Sequence, residues 1–120
     1  MAVSSDYLNA LANHGAGLIK YIGLVDETGT ELSGGDYARK AVTWTTSPTG
    51  GTAGLVRPSA DLLFNVPAGT VGGWCGYSAL TSGTNYGGEN FAAADQETYA
   101  NPGEFKLLAA ETALRHEVKV

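Results

Sequence analysis

The sequence predicts an all-β domain: an antiparallel β-sandwich or barrel of about seven or eight strands with one short N-terminal helix. Three observations lead there. β-prone runs recur between clusters of Gly, Pro, Asn and Asp. Charged residues make up 16% of the 120-residue chain while Gly numbers 17, a balance that suits many tight turns. Helical periodicity appears in one segment only. Hydrophobic residues at 43% with spaced aromatics suffice for one core in a chain of this size. A single domain, residues 1–120, is therefore expected.

The helical segment is Ser4 to Asn13. Ser4 or Ser5 can cap its N-terminus, and Asp6 suits the positive end of its dipole. Tyr7, Leu8, Leu11 and Ala12 are spaced as one apolar helix face. His14 falls in the last turn, and Gly15 is placed to end the helix. A helix of about ten residues is marginal alone. Residues 1–15 must therefore pack on the β-core or on a neighbouring subunit.

Leu18 to Val25 reads as the first strand, apolar and β-prone. Asp26 to Thr30 holds turn formers, and Gly34-Gly35 allows a second reversal because glycine reaches positive φ freely. Tyr37 to Thr46 resumes with alternation. Tyr37, Arg39, Ala41 and Thr43 share one face; Ala38, Lys40, Val42 and Trp44 share the other. Ser47 to Gly54 packs three glycines and a proline into eight residues and must be a loop. Leu55 to Pro58 reads as an irregular edge, since Pro58 cannot donate to a ladder.

Ser59 to Val66 is a further strand, and Pro67 to Thr70 a turn. Val71 to Leu80 is a strand interleaved with glycine, which points to bulges or close approach by another strand. Thr81 to Asn90 reads as a glycine-rich loop with Tyr86 at a hairpin tip. Glu97 to Tyr99 begins a short strand, stopped at Asn101-Pro102-Gly103. Glu104 to Ala109 alternates as a strand, and Ala110 to Leu114 tolerates helix. The segment 116–120 alternates Glu117 and Lys119 with Val118 and Val120, as a terminal strand or an arm offered to a neighbour. The large apolar residues in period-two runs are Leu18, Ile22, Leu24, Val42, Trp44, Leu62, Phe64, Trp74, Phe105 and Leu107. They form the predicted core.

Several chemistries are disfavoured. The net charge is −5, and the seven bases are scattered with no stripe to neutralise a phosphate backbone. A nucleic-acid partner is not expected. No run approaches the roughly 18 apolar residues that span a bilayer, and the N-terminus lacks the pattern of a secretory signal, so no membrane association is expected. Cys75 is the one cysteine, which rules out an intrachain disulfide. A catalytic thiol needs a base beside it, and His14 and His116 lie near the two ends. Asp26, Thr28 and Thr30 alternate like calcium ligands, but the twelve-residue pattern with its closing acid is missing. The glycines of 71–80 lack the spacing and following helix of a dinucleotide loop. Ser78 does not sit in a Gly-x-Ser-x-Gly elbow. No catalytic, cofactor-binding or metal-ligating residues are assigned, and no cofactor is expected.

One stretch carries a resemblance. Tyr21-Ile-Gly-Leu24, then Gly29-Thr-Glu-Leu-Ser-Gly-Gly35, Tyr37-Ala-Arg39 and Val42-Thr-Trp44, resemble a family of small tailed-bacteriophage virion proteins, described as tail-fibre-like or head-decoration proteins. The similarity continues in 59–64, 72–79 and 98–105, and Glu31 to Arg39 is its most specific part. The resemblance implies a structural, non-enzymatic role in the virion, assembled in the host cytoplasm. The expected function is a capsid decoration or cement protein, with the major capsid protein or other virion proteins as partners and homo-oligomers on the particle. The alternative is a minor tail or tail-fibre-like protein touching the host surface, where Trp44, Trp74 and Tyr86 would stack on sugars. Partner contacts are expected from the helix, the 26–36 corner, the 47–54 loop and the 116–120 tail. The candidate residues are Tyr7, Leu11, Glu31, Asp36, Thr49, Tyr86, Val118 and Val120.

Overall fold

The helix forms, and it runs further than its periodicity suggests. In a computed structural model, which describes residues 4–49 and 51–115, α1 spans Ser5–Leu18. The Ser4 side chain caps it by accepting the Tyr7 N–H at 3.2 Å. The helix continues through Gly15 and Gly17 because its inner face is anchored. Ala12 and Ala16 are buried against Val56, and that packing outweighs the helix cost of glycine. Leu18 therefore closes the helix at 42% exposure, where the sequence places it in the first strand and the core. Ile19 is buried instead.

The strands all pair antiparallel. β1 (Tyr21–Val25) lies beside β6 (Gly73–Tyr77), with Ile22 opposite Gly76 and Leu24 opposite Trp74. With β2 (Lys40–Ala41) and β7 (Asn85–Asn90) they make a four-stranded sheet in the order β2-β1-β6-β7. Three two-stranded ladders complete the set. β3 (Leu55–Val56) pairs with β10 (Leu114–Arg115). β4 (Leu62–Val66) pairs with β9 (Gly103–Leu107). β5 (Gly69–Val71) pairs with β8 (Glu97–Tyr99). Short 3-10 turns occupy Ala93–Asp95 and Ala109–Glu111. Among the described residues the ladders do not close into a barrel.

Several strand boundaries differ from the sequence reading: Gly69 and Thr70, read in a turn, lie in β5, and two further differences have a clear cause. The run 37–46 pairs as a strand only at Lys40–Ala41, because the chain changes partner. The Val42 N–H donates to Lys20 O beside β1, whereas the Thr45 N–H donates to Arg57 O. The segment 85–90, read as part of a loop, is strand β7. A side chain at Gly88 would collide with the Trp74 backbone, and one at Gly73 with that of Glu89. The glycines that look like loop residues are what let β6 and β7 approach.

The core lies between the four-stranded sheet and the β4–β9 ladder. It contains Ile22, Leu24, Phe64, Val66, Val71, Trp74, Phe105 and Leu107. Phe64 and Phe105 are directly opposite each other in the β4–β9 register. Val42, Trp44 and Leu62 sit half-buried at its margin. A smaller cluster of Ala12, Ala16 and Val56 seats α1, with Trp44 and Leu114 packed against it.

Candidate functional site

The most specific sequence segment builds a polar clamp on the outer face of the sheet. Asp26 starts it. Its Oδ1 accepts the Thr28 N–H at 2.8 Å, the Thr28 hydroxyl at 2.6 Å and the Thr30 N–H at 3.0 Å. Those bonds, the Thr28 hydroxyl first, hold the Asp26 carboxyl below the usual range. The turn brings the chain back along β1, where the Leu32 N–H donates to Leu24 O. Glu31 thereby lies over β1. Gly34 and Gly35, both at positive φ, reverse the chain again and bring Tyr37 and Arg39 back to it.

Arg39 straddles the Glu31 carboxylate through Nε and Nη2, both at 2.9 Å. Its Nη1 donates to Ala79 O at 2.9 Å and Ser82 O at 2.8 Å. The guanidinium lies 3.6 Å from the Tyr77 ring centre, a cation–π contact. The Tyr37 hydroxyl donates to Glu31 Oε2 and accepts the Leu24 N–H, each at 2.9 Å. The clamp crosses the sheet at Gly23, where a β-carbon would come within 2.7 Å of Glu31 Oε2 and 2.8 Å of the Tyr37 hydroxyl.

The electrostatics follow from this packing. Burial pushes the Glu31 carboxyl up, but the hydrogen bonds from Arg39 and Tyr37 and the Arg39 charge outweigh it, leaving a net lowering. Burial first, then the Glu31 charge, raises Tyr77 to about 12. Burial likewise raises Tyr37, helped by the bond and charge of Glu31. Both phenols stay protonated at neutral pH, and Glu31 and Arg39 are engaged with each other. The arrangement ties the 26–39 corner to the 78–84 tip.

A second set of bonds joins α1 to the 47–54 loop. Asn9 Oδ1 accepts the Ser47 hydroxyl at 2.9 Å and the Gly54 N–H at 3.0 Å. Asn13 Oδ1 accepts the Ser47 N–H at 2.8 Å. The inner helix face is thus small and amide-bearing. The outer face is apolar: Tyr7 is 53% exposed, Leu11 38% and Leu18 42%. These residues follow the i, i+4, i+11 spacing of one stripe, with His14 exposed between them.

The sequence candidates are dispersed over this framework. Tyr7 and Leu11 lie together on the α1 stripe. Leu18 extends that stripe; its spacing from Leu11 was the signal, obscured by its assignment to a strand. Glu31 is half-buried in the clamp, and Asp36 is exposed at the glycine corner. Thr49 is half-buried, its hydroxyl 2.6 Å from that of Thr45. Tyr86 is exposed on β7, at the sheet edge. Val118 and Val120 lie outside the described residues. Trp74 does not offer a ring to sugars: it is 2% exposed in the core, and its indole N–H has no hydrogen-bond partner among the described residues. Trp44 is half-buried and donates Nε1–H to Ile19 O at 2.9 Å.

Cys75 is half-buried, and burial pushes its thiol up. Among the described residues no three His, Cys, Asp or Glu side chains gather as metal ligands, and no helix is long and apolar enough to cross a membrane. A scan against protein-family models finds no match for this chain, and searches of curated proteins and of solved structures also find none.

Proposed function

We propose that this protein is a structural component of a tailed-phage particle, a decoration or cement protein that binds the assembled capsid shell and catalyses no reaction. The observation that carries the proposal is the outer stripe of α1. Tyr7, Leu11 and Leu18 are held outward by a helix whose inner face is clamped through Ala12, Ala16, Asn9 and Asn13. An apolar helix face presented on a rigid mount suits docking into a groove of a partner. The resemblance of the 21–44 stretch to phage virion proteins agrees with this role. So does a β-rich scaffold in which antiparallel ladders flank one core.

A decoration protein acts by mass action. It binds the assembled state and not free subunits, so it shifts the equilibrium toward the shell. Each copy needs only a modest interface, because contacts repeat over a symmetric surface. The partner is the major capsid protein or another virion protein, with further contacts from Asp36, Thr49 and Tyr86.

The test is co-sedimentation of the labelled protein with particles, followed by imaging of the label. The double variant Tyr7→Ser/Leu11→Ser should stay folded and lose particle binding. Unchanged binding would remove the α1 stripe from the interface. Label at the tail tip alone would favour the minor tail-protein reading.

A further inference from the structure

Strands β8 and β9 are joined by the short link 100–102 but do not pair with each other. β8 pairs with β5 and β9 with β4, so the two arms diverge from the link. They touch at its base. The Tyr99 hydroxyl donates to Glu104 O at 2.7 Å, and a β-carbon at Gly103 would meet the Tyr99 ring at 2.8 Å. Beyond that contact a groove of about 560 Å³ opens, with Glu97 on one arm and Phe105 to Leu108 on the other.

One edge of β9 faces this groove. In an antiparallel ladder the residues alternate: one gives its N–H and C=O to the partner strand, and the next directs both away. Glu104 O is taken by the Tyr99 hydroxyl, so Glu104 is of the second kind. Lys106, two residues on, directs its N–H and C=O to the same side, away from β4. Among the described residues no strand pairs with that side. The lining agrees. Successive strand residues point to opposite faces, so a cavity that touches all of Phe105 to Leu108 runs along the edge and not over one face.

The groove also selects by charge. Its rim carries Glu89, Asp95, Glu97 and Glu111 against Lys106 alone, and all five are exposed. Such a rim attracts a cationic ligand and repels an acidic one. The exposed apolar surface comes from Phe91 and Leu108, over the buried Phe105 and Leu107. We infer that the groove takes an extended segment of a partner protein in which Lys or Arg alternates with apolar residues, added as a strand along the free edge of β9. The segment's main chain pairs with Lys106, its apolar residues rest on Phe91 and Leu108, and its basic residues reach the carboxylates. A free polyamine or metal ion would use the carboxylates alone and leave the strand edge and the apolar wall without a role. The partner need not be a capsid protein.

NMR titration of the ¹⁵N-labelled full-length protein with a capped peptide of alternating Lys and Val tests this. Saturable shifts are expected at the amides of Phe91, Glu97, Lys106 and Leu108, with slowed exchange of the Lys106 amide. Affinity should fall as salt is raised. A peptide of alternating Glu and Val should not bind. The Lys and Val peptide with its backbone amides methylated cannot donate to the edge and should bind about ten-fold more weakly. Glu89→Gln/Glu111→Gln in the protein should weaken binding roughly two- to ten-fold, as expected for two rim charges, and the amide spectrum of the free variant reports its folding separately. No saturable shifts, shifts scattered over the surface, or equal binding of the acidic or the methylated peptide would overturn the inference. So would spermine giving the same shifts at the same affinity, which would mean a cation site without strand pairing. Particle binding plays no part in the readout, so failure here and failure of the capsid role are distinguishable.

Discussion

Arg39 makes three kinds of contact at once: two bonds to Glu31, two backbone carbonyls 40 and 43 residues away, and a tyrosine face. Lysine cannot copy this, because an ammonium lacks the planar fork. Arg39→Met should cost about 2–4 kcal/mol, since it leaves the half-buried Glu31 without its partner. Chemical denaturation measures that loss. The double variant with Glu31→Gln should cost less than the sum of the singles, because the two side chains act as one unit. The pH dependence has a definite sign. Glu31 is depressed in the folded state, so its contribution is complete above the unfolded value of about 4.3 and is lost as pH falls through the lower folded value. Wild type and Glu31→Gln should therefore differ in denaturation midpoint at pH 7 and converge on acidification. A constant gap from pH 7 to pH 3 would show that the clamp does not control it. Gly23 belongs to the same unit. Gly23→Ala drives a methyl into Glu31, Tyr37 and Tyr77 and should destabilise by about 1–3 kcal/mol.

At the scale of elements, α1 has two faces with opposite sensitivities. Ala12 is fully buried against Val56, so Ala12→Leu overpacks the contact and should cost about 1–3 kcal/mol. Leu11→Ser on the exposed stripe should change stability by no more than about 0.5 kcal/mol. Thermal melts of the two variants separate the faces directly. Deleting residues 1–14 should destabilise the fold as well, because it removes Ala12 and the amides that hold the 47–54 loop. Strand β7 is held differently. Its place beside β6 depends on Gly88 and Gly73 lacking side chains, so it contributes an edge with little side-chain burial.

The whole molecule rests on one main core shared by the sheet and the β4–β9 ladder. Phe64 is fully buried there, and Phe64→Ala should cost about 3–5 kcal/mol. A variant as stable as wild type would mean that the ladder is not needed to cover the sheet.

Local pattern alone determined the β-rich architecture, an N-cap at Ser4 or Ser5 and the turn at 26–30. It also picked out Ile22, Leu24, Phe64, Trp74, Phe105 and Leu107 as core, because a two-residue period and large apolar side chains are properties of a short window of chain. Tertiary contact decided the rest. Whether α1 stops at Gly15 depends on Ala16 finding Val56, forty residues on. Whether Leu18 is buried depends on that helix end. The segment 85–90 has the composition of a loop and becomes a strand because its glycines fit against Trp74. The Glu31–Arg39 motif is visible as a pattern, but its work is not: Arg39 reaches Ala79 and Ser82 only after β1 and β6 have paired. Periodicity reports which way a side chain points, and it cannot report what distant part of the chain arrives to meet it.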